Sequence, residues 1–299
     1  MKGIPDTELF AQGHNACAGC GASIIARHVL KASGKDVIVC NATGCLEVFS
    51  TFYPETSWKV PWIHAAFENA ASVASGIARA LKKQGREKTK VLVMGGDGGT
   101  FDIGFQFISG AVERGENICY VCYDNEAYMN TGIQRSGATP KYASTTTSPA
   151  GSRIHGKQEF KKHLPFIFAA HNENVYVATS SCAYPDDLIR KVSKGLEHKG
   201  PAYIQIFSSC PTGWKHSPSL SIKVAKLAFE TCIYPLFEIE KGVVKITRKP
   251  GKIKPVKNYL QEQGRFKHLD DREVQQIQEH VNKQWEKLLK LEESGISIS

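Results

Sequence analysis

The sequence predicts an α/β protein: a doubly wound parallel sheet with a C-terminal extension. Two observations carry this. Short apolar runs of strand type alternate with segments of helical period, as in successive βα units. The runs are apolar almost throughout and do not alternate, as expected of strands covered on both faces. After Pro211 the alternation stops, so the main domain is drawn at 1–220 and the extension at 221–299.

Residues 1–16 read as an irregular lead-in. Residues 17–32 predict a helix, with Ile24, Ile25, His28, Val29 and Ala32 on one face and Gly34 ending it. Residues 36–40 predict a buried strand. Residues 41–63 hold Gly44, Pro54 and Pro61 and read as loop. A small-residue helix is expected at about 68–83, then a strand at 90–94 that runs into Gly95-Gly96-Asp97-Gly98-Gly99. Further units follow: helix 101–114, strand 118–123, helix 159–171, strand 174–179, helix 184–197 and strand 202–207. The polar stretch 124–157 is long for a loop inside a compact domain, and such loops are usually functional. In the extension, a helix is expected at 221–232 and a hairpin at 234–248 turning at Lys241-Gly242. The last helix begins near Asp270 with an Asp-x-x-Glu cap and carries the apolar stripe Val274, Ile277, Val281, Leu288 and Leu291. That stripe is expected to dock on the domain or on a partner subunit. No internal repeat is present.

Bulk properties exclude several classes. With 299 residues, 41% hydrophobic and 22% charged, the chain is neither disordered nor collagen-like. The N-terminus is too polar for a secretory signal, and no apolar run approaches the roughly 20 residues of a membrane span. The expectation is a cytoplasmic protein that engages no membrane. The net charge is +9, and seven Lys/Arg with no acid lie between Lys241 and Lys257. This stretch reads as a solvated surface or a docking face for an acidic partner, in preference to a nucleic-acid site.

Nine cysteines are many for such a chain, and clustered thiols in a reducing compartment point to metal or catalysis. Cys17-Ala-Gly-Cys20 stands at the mouth of the first helix. Cys45 follows the first strand, and Cys210 follows the last strand of the main domain. Sites in doubly wound sheets collect at the carboxyl ends of strands, so three segments can converge there. Four thiolates suit zinc or a [4Fe–4S] cluster, and spacing favours neither. Cys119 and Cys122 lie in one predicted strand, three apart, and so face opposite sides of the sheet. They, with Cys40, Cys182 and Cys232, read as small buried apolar residues.

Gly96-Asp97-Gly98-Gly99 joins a buried strand to a helix. Glycines let the backbone approach a phosphate, but an aspartate there would repel one unless a divalent cation lay between. Asp97 therefore reads as a Mg²⁺ ligand bridging to a diphosphate. Asn125 lies 28 residues further on, at the end of the next strand. Gly-Asp-Gly followed by an Asn at about this distance is the thiamine-diphosphate pattern.

Together these runs resemble the β subunits of 2-oxoacid:ferredoxin oxidoreductases, most of all the pyruvate type. The resemblance covers about 14–246. It rests on Cys17-Ala-Gly-Cys20-Gly, Asn41-Ala-Thr-Gly-Cys45-Leu-Glu-Val-Phe-Ser, Gly95-Gly-Asp-Gly-Gly, the run from Tyr123 to Gly137, and Cys210-Pro-Thr-Gly-Trp. It implies the diphosphate-domain fold of thiamine enzymes. It implies a [4Fe–4S] cluster on Cys17, Cys20, Cys45 and Cys210, and Mg²⁺ on Asp97, Asn125 and the Ala127 carbonyl. Ala22, Cys45, Gly96, Gly98, Gly99, Asn125, Glu126, Ala127, Tyr128, Met129 and Asn130 would line thiamine diphosphate, with Asn130 near the substrate. It further implies α, γ and δ-type partner subunits, an activating glutamate from the α subunit, a 2-oxoacid substrate, coenzyme A, and single-electron transfer through the cluster to ferredoxin. Other 2-oxoacids, and oxalate without coenzyme A, are the competing substrates. A non-redox thiamine decarboxylase or synthase would not need the four cysteines. A zinc-stabilised nucleic-acid module would leave the Gly-Asp-Gly loop unexplained.

Overall fold

The computed structural model describes residues 4–299. Eight strands form one sheet: β1 (Val37–Ala42), β2 (Trp62–Ala65), β3 (Lys90–Gly96), β4 (Cys119–Asp124), β5 (Tyr176–Ser181), β6 (Ala202–Phe207), β7 (Leu236–Glu240) and β8 (Val243–Arg248). Their spatial order is β2-β1-β3-β4-β6-β5-β7-β8. The first six are parallel, while β7 runs antiparallel to β5 and β8 antiparallel to β7. From β1 the chain first moves outward to β2, then crosses back to lay β3 on the other side. The switch point therefore lies between β1 and β3, where an open α/β sheet leaves a crevice at its carboxyl edge.

All six residues of β4, β5 and β6 are buried, which explains their unalternating apolar character. Each fully buried Val or Ile there contributes about 1.5–3 kcal/mol. Helices cover both faces: α1 (Gly21–Ser33), α2 (Cys45–Ser50), α3 (Ala70–Lys83), α4 (Asp97–Phe101), α5 (Phe105–Glu113), α6 (Leu164–Ala169), α7 (Pro185–Glu197), α8 (Pro211–Trp214), α9 (Ser221–Glu230), α10 (Lys257–Leu260) and α11 (Asp271–Ser294). Cys119 packs in the core on one face and Cys122 in the core on the other, as strand geometry requires. Cys40, Cys182 and Cys232 are likewise buried in these cores.

Several expected boundaries shift. Cys17–Cys20 form a turn, closed by the Cys20 N–H donating to the Cys17 carbonyl at 3.0 Å, so the first helix starts only at Gly21. The expected 41–63 loop contains α2 and the edge strand β2. The helix expected at 101–114 divides into α4, which begins at Asp97 itself, and α5. The helix expected at 159–171 shrinks to α6.

The connection from β4 to α6 has no long element, yet it is anchored. The buried Lys157 ammonium donates to the Thr139 carbonyl at 2.6 Å, and the Ser144 N–H donates to the Arg265 carbonyl at 3.0 Å. The hairpin turns at Lys241-Gly242, both at positive φ, as the sequence predicts. It extends the same sheet. The stripe on α11 buries Ile277, Val281 and Leu288 against this chain's own cores. Among the described residues no helix is long and apolar enough to cross a membrane.

Candidate functional site

At the switch point lies a cleft of about 110 Å³, walled by three segments: Thr43–Cys45 after β1, Gly96 at the end of β3 with Gly98 just beyond it, and Asn125 with residues 127–131 after β4. Backbone geometry keeps it open. A Cβ on Gly98 would stand 2.5 Å from the Tyr128 ring. Gly44 has φ 152°, and a Cβ there would stand 3.1 Å from the Tyr123 hydroxyl. That hydroxyl is buried, belongs to a residue lining the cleft and has no hydrogen-bond partner among the described residues.

Asp97 is fully buried beneath the cleft. Its carboxylate accepts from the Ser136 hydroxyl at 2.5 Å and from the Asn125 backbone N–H at 3.2 Å. Burial first, and then the Asp124 carboxylate, push its pKa well above the usual range. One side-chain amide atom of Asn125 stands 2.8 Å from Asp97 Oδ1 and 2.9 Å from the Ala127 carbonyl oxygen. As nitrogen it donates to both. As oxygen it closes a triangle of three acceptors with no proton among them. An octahedral Mg²⁺ with bonds of about 2.0–2.1 Å has cis oxygens about 2.9 Å apart, so with the amide oxygen turned inward the two distances match two edges of such a site.

Four thiols lie near enough to influence one another's charge: Cys17 is exposed, and Cys20, Cys45 and Cys210 are half-buried. Burial pushes Cys45 up to about 12 and Cys210 up to about 11, and the other thiols of the group add to each. The Cys210 sulfur accepts from the Gly213 N–H at 3.4 Å. A Cβ on Gly213 would meet Met129 Sδ at 2.2 Å, so a larger residue there would have to swing the Met129 side chain aside. Among the described residues no three His, Cys, Asp or Glu side chains stand close enough to share a single metal ion. Cys45 therefore belongs to both groups: it lines the cleft and faces the other thiols.

Not every expected cofactor residue lines the cleft. Gly96, Gly98, Asn125, Ala127, Tyr128, Met129 and Asn130 do, with Cys45. Ala22 is buried inside α1, and Gly99 packs against Phe67. The Glu126 side chain turns away into the protein, at φ 68°. It meets the Lys161 ammonium at 3.0 Å and the Arg265 guanidinium at 2.6 Å. Lys161 also reaches Asp124 at 2.5 Å. Burial works against the charges of Glu126 and Lys161, and opposite partners outweigh it: Glu126 is held below the usual carboxylate range and Lys161 above the usual lysine range, whereas burial prevails at Asp124 and raises it. Ser136, Lys161 and Arg265 thus support the loop although the sequence reading gave them no role. Ser136 lies inside the run from Tyr123 to Gly137. The other two pair across 35 and 139 residues and leave no local trace.

Residues 42–206 match the family described as thiamine pyrophosphate enzyme, C-terminal TPP binding domain. The chain is 56% identical over 286 residues to pyruvate synthase subunit PorB of Methanocaldococcus jannaschii, covering 93% of this chain and 96% of that relative. It is 44% identical over 297 residues to ketoisovalerate oxidoreductase subunit VorB of Pyrococcus furiosus, covering 97% of this chain and 95% of that one. A solved 2-oxoglutarate:ferredoxin oxidoreductase from Magnetococcus marinus shares the fold, with a TM-score of 0.59 at 21% identity over 75% of this chain and 82% of that chain. By these matches the chain belongs to the thiamine pyrophosphate enzymes and, within them, to the PorB-type subunits of pyruvate synthase.

Proposed function

We propose that this chain is the thiamine-diphosphate-binding subunit of a pyruvate:ferredoxin oxidoreductase, which interconverts pyruvate, coenzyme A and oxidised ferredoxin with acetyl-CoA, CO₂, reduced ferredoxin and protons, each ferredoxin taking its electrons singly. The observation that carries the reading is the meeting of two donor sets at one switch point: the Asp97, Asn125 and Ala127 groups, whose distances suit Mg²⁺, and the Cys17, Cys20, Cys45 and Cys210 thiols, of which Cys45 also lines the cleft. The 56% identity to a PorB subunit supports pyruvate as the substrate.

The donors fit the groups assigned to them. Asp97, Asn125 and the Ala127 carbonyl offer hard oxygens for Mg²⁺, and the Asp97 carboxylate is fully buried. Gly96 and Gly98 let a diphosphate approach the backbone, and the unpartnered Tyr123 hydroxyl can donate to it. Cys17, Cys20, Cys45 and Cys210 offer four soft thiolate ligands, the donor type a [4Fe–4S] cluster takes. When bound, thiamine diphosphate supplies the electron sink for decarboxylation and the cluster accepts electrons one at a time. The chain's residues orient these groups: Asn130, exposed at the rim, faces incoming substrate, and Tyr128 with Met129 walls the cleft.

Partner subunits are required. The matched family region is the diphosphate-binding half of a thiamine site, so the aminopyrimidine-activating glutamate and most of the 2-oxoacid pocket come from an α-type subunit, and γ and δ-type subunits carry electrons toward ferredoxin. Residues 221–299 serve as the docking extension. All nine cysteines are free thiols, which supports a reducing cytoplasmic setting.

The test is anaerobic. The complex, purified through this chain, is supplied with Mg²⁺ and thiamine diphosphate. Reduction of ferredoxin is then followed with pyruvate, 2-oxoisovalerate, 2-oxoglutarate and oxalate, each with and without coenzyme A. Coenzyme A-dependent reduction by pyruvate is expected. Preference for another acid, or reduction by oxalate without coenzyme A, overturns the substrate.

A further inference from the structure

We propose that Arg265, in the C-terminal extension, is a positioning residue for the metal-binding loop, so that the extension completes the cofactor site of its own chain. The inference rests on the Mg²⁺ reading of Asp97, Asn125 and Ala127.

Asn125 and Ala127 flank Glu126, a non-glycine residue held at φ 68° and buried. Such backbone persists only where its surroundings fix it. Here the fixing contacts come from three separate stretches of chain. The Thr139 hydroxyl donates to the Glu126 carbonyl at 2.7 Å. Lys161 joins the carboxylates of Asp124 and Glu126. Arg265 takes the other Glu126 oxygen at 2.6 Å.

Arg265 is itself immobilised. Its Nε donates to Gln263 Oε1 at 2.9 Å and its terminal nitrogen to the Tyr259 hydroxyl at 3.1 Å. Its guanidinium lies 4.0 Å from the centre of the Trp214 ring. Trp214 in turn donates its indole N–H to the Asn125 carbonyl at 2.8 Å. One guanidinium thus grips the residue after Asn125 and backs the ring that holds Asn125 itself. A planar, permanently charged fork can do both, and an ammonium cannot. With Arg265 neutralised, Glu126 keeps Lys161 alone, shared with Asp124, and one buried carboxylate is left short of a cation. The loop then gains a reason to flip Glu126 outward, which would spread Asn125 and the Ala127 carbonyl apart.

The test uses the complete complex, stripped of divalent ions and titrated with Mg²⁺ at fixed thiamine diphosphate, for wild type, Arg265→Met, Arg265→Lys, Glu126→Gln and the Arg265→Met/Glu126→Gln pair. Arg265→Met is expected to raise half-saturating Mg²⁺ by about 10–100-fold, the range typical of residues that orient metal ligands. Its kcat at saturating Mg²⁺ should fall far less. Arg265→Lys should lie between wild type and Arg265→Met. The double variant should recover part of the loss, because removing both members of a buried pair is milder than stranding one. Iron and acid-labile sulfide content reports the cluster separately and should not change. If Arg265→Met fails to assemble, Arg265→Lys and Glu126→Gln carry the test, and an unaltered Mg²⁺ requirement in both overturns the inference. A wild-type complex that needs no divalent cation overturns the metal reading, and this inference with it. A wild type that needs Mg²⁺ beside an Arg265→Met that needs no more of it overturns the inference alone.

Discussion

At Gly98 a side chain has nowhere to go, since a Cβ would lie 2.5 Å from the Tyr128 ring. Gly98→Ala must displace that ring into the cleft. It should cost about 1–3 kcal/mol in overpacking and raise the thiamine diphosphate requirement. Thermal denaturation and a cofactor titration check this, and wild-type values in both would refute the steric argument. Asp97→Asn removes the only charged oxygen of the proposed Mg²⁺ triangle. The loss in Mg²⁺ affinity should exceed about 100-fold, the upper range for outer-shell changes, with the cluster's spectroscopic signal retained. Cys45→Ser should disturb both groups, read as lost cluster signal together with weakened thiamine diphosphate binding. Asp97 and Asn125 were legible in the sequence because a fixed loop between adjacent parallel strands fixes their spacing. Lys161 and Arg265 were not. A buried ion pair is a meeting of distant segments, and nothing near Lys161 in the chain distinguishes it from Lys162, which pairs with Asp102 at the surface.

At the scale of elements, α11 was the most legible. Its Asp270–Glu273 capping box forms as the sequence predicts, with the Glu273 N–H donating to Asp270 at 2.7 Å. Asp270→Ala should cost about 1 kcal/mol and increase hydrogen exchange in the first turn of α11. Three histidines lie at or beneath this helix. His163 is held below its ordinary pKa of 6.5 by burial and then Lys287 and Lys161. His280 is lowered by burial, His163, Lys283 and Lys141, and His268 by burial, with His155 adding and the Tyr142 carbonyl opposing. A histidine lowered in the fold binds fewer protons there than in the unfolded chain. Stability should therefore be complete above pH 6.5 and decline as pH falls below it. His280→Phe keeps the stack on Phe160, whose ring centre lies 3.6 Å away, and should flatten that decline in denaturant titrations between pH 7 and 5. An equal slope would remove His280 from the account. The 41–63 segment was the least legible: its prolines and glycine mark a loop correctly, but α2 and β2 are short pieces stabilised by packing on β1.

At the scale of the molecule, the sheet does not stop where the alternating pattern does. β7 pairs with β5, and Phe237 and Ile239 enter the core. Truncation after Leu220 should therefore leave the β5 edge open and yield aggregated protein rather than a stable smaller domain. Size-exclusion chromatography of the truncated chain checks this, and a soluble, cooperatively folding fragment would contradict it. The basic stretch also changes meaning once folded. Four of its seven cations meet acids of the same chain: Arg248 with Asp186, Lys249 with Glu292, Lys254 with Glu230 and Lys257 with Asp271. Pairs this exposed add little stability, but they neutralise much of the patch as a docking face.

What the sequence determined by itself was the parallel α/β architecture, the placing of Asp97 and Asn125 together after adjacent strands, and the capped final helix. These are set by short-range periodicity, by loop chemistry at strand ends, or by motifs whose spacing one βα unit constrains. What only the tertiary structure decided was the direction of Glu126, the support lent by Lys161 and Arg265, the continuation of the sheet through β7 and β8, and the neutralising of the basic stretch. Each depends on segments far apart in the chain meeting in a buried or folded setting, where the cost of an unpaired charge or an open strand edge selects the partner, and that selection has no local signature.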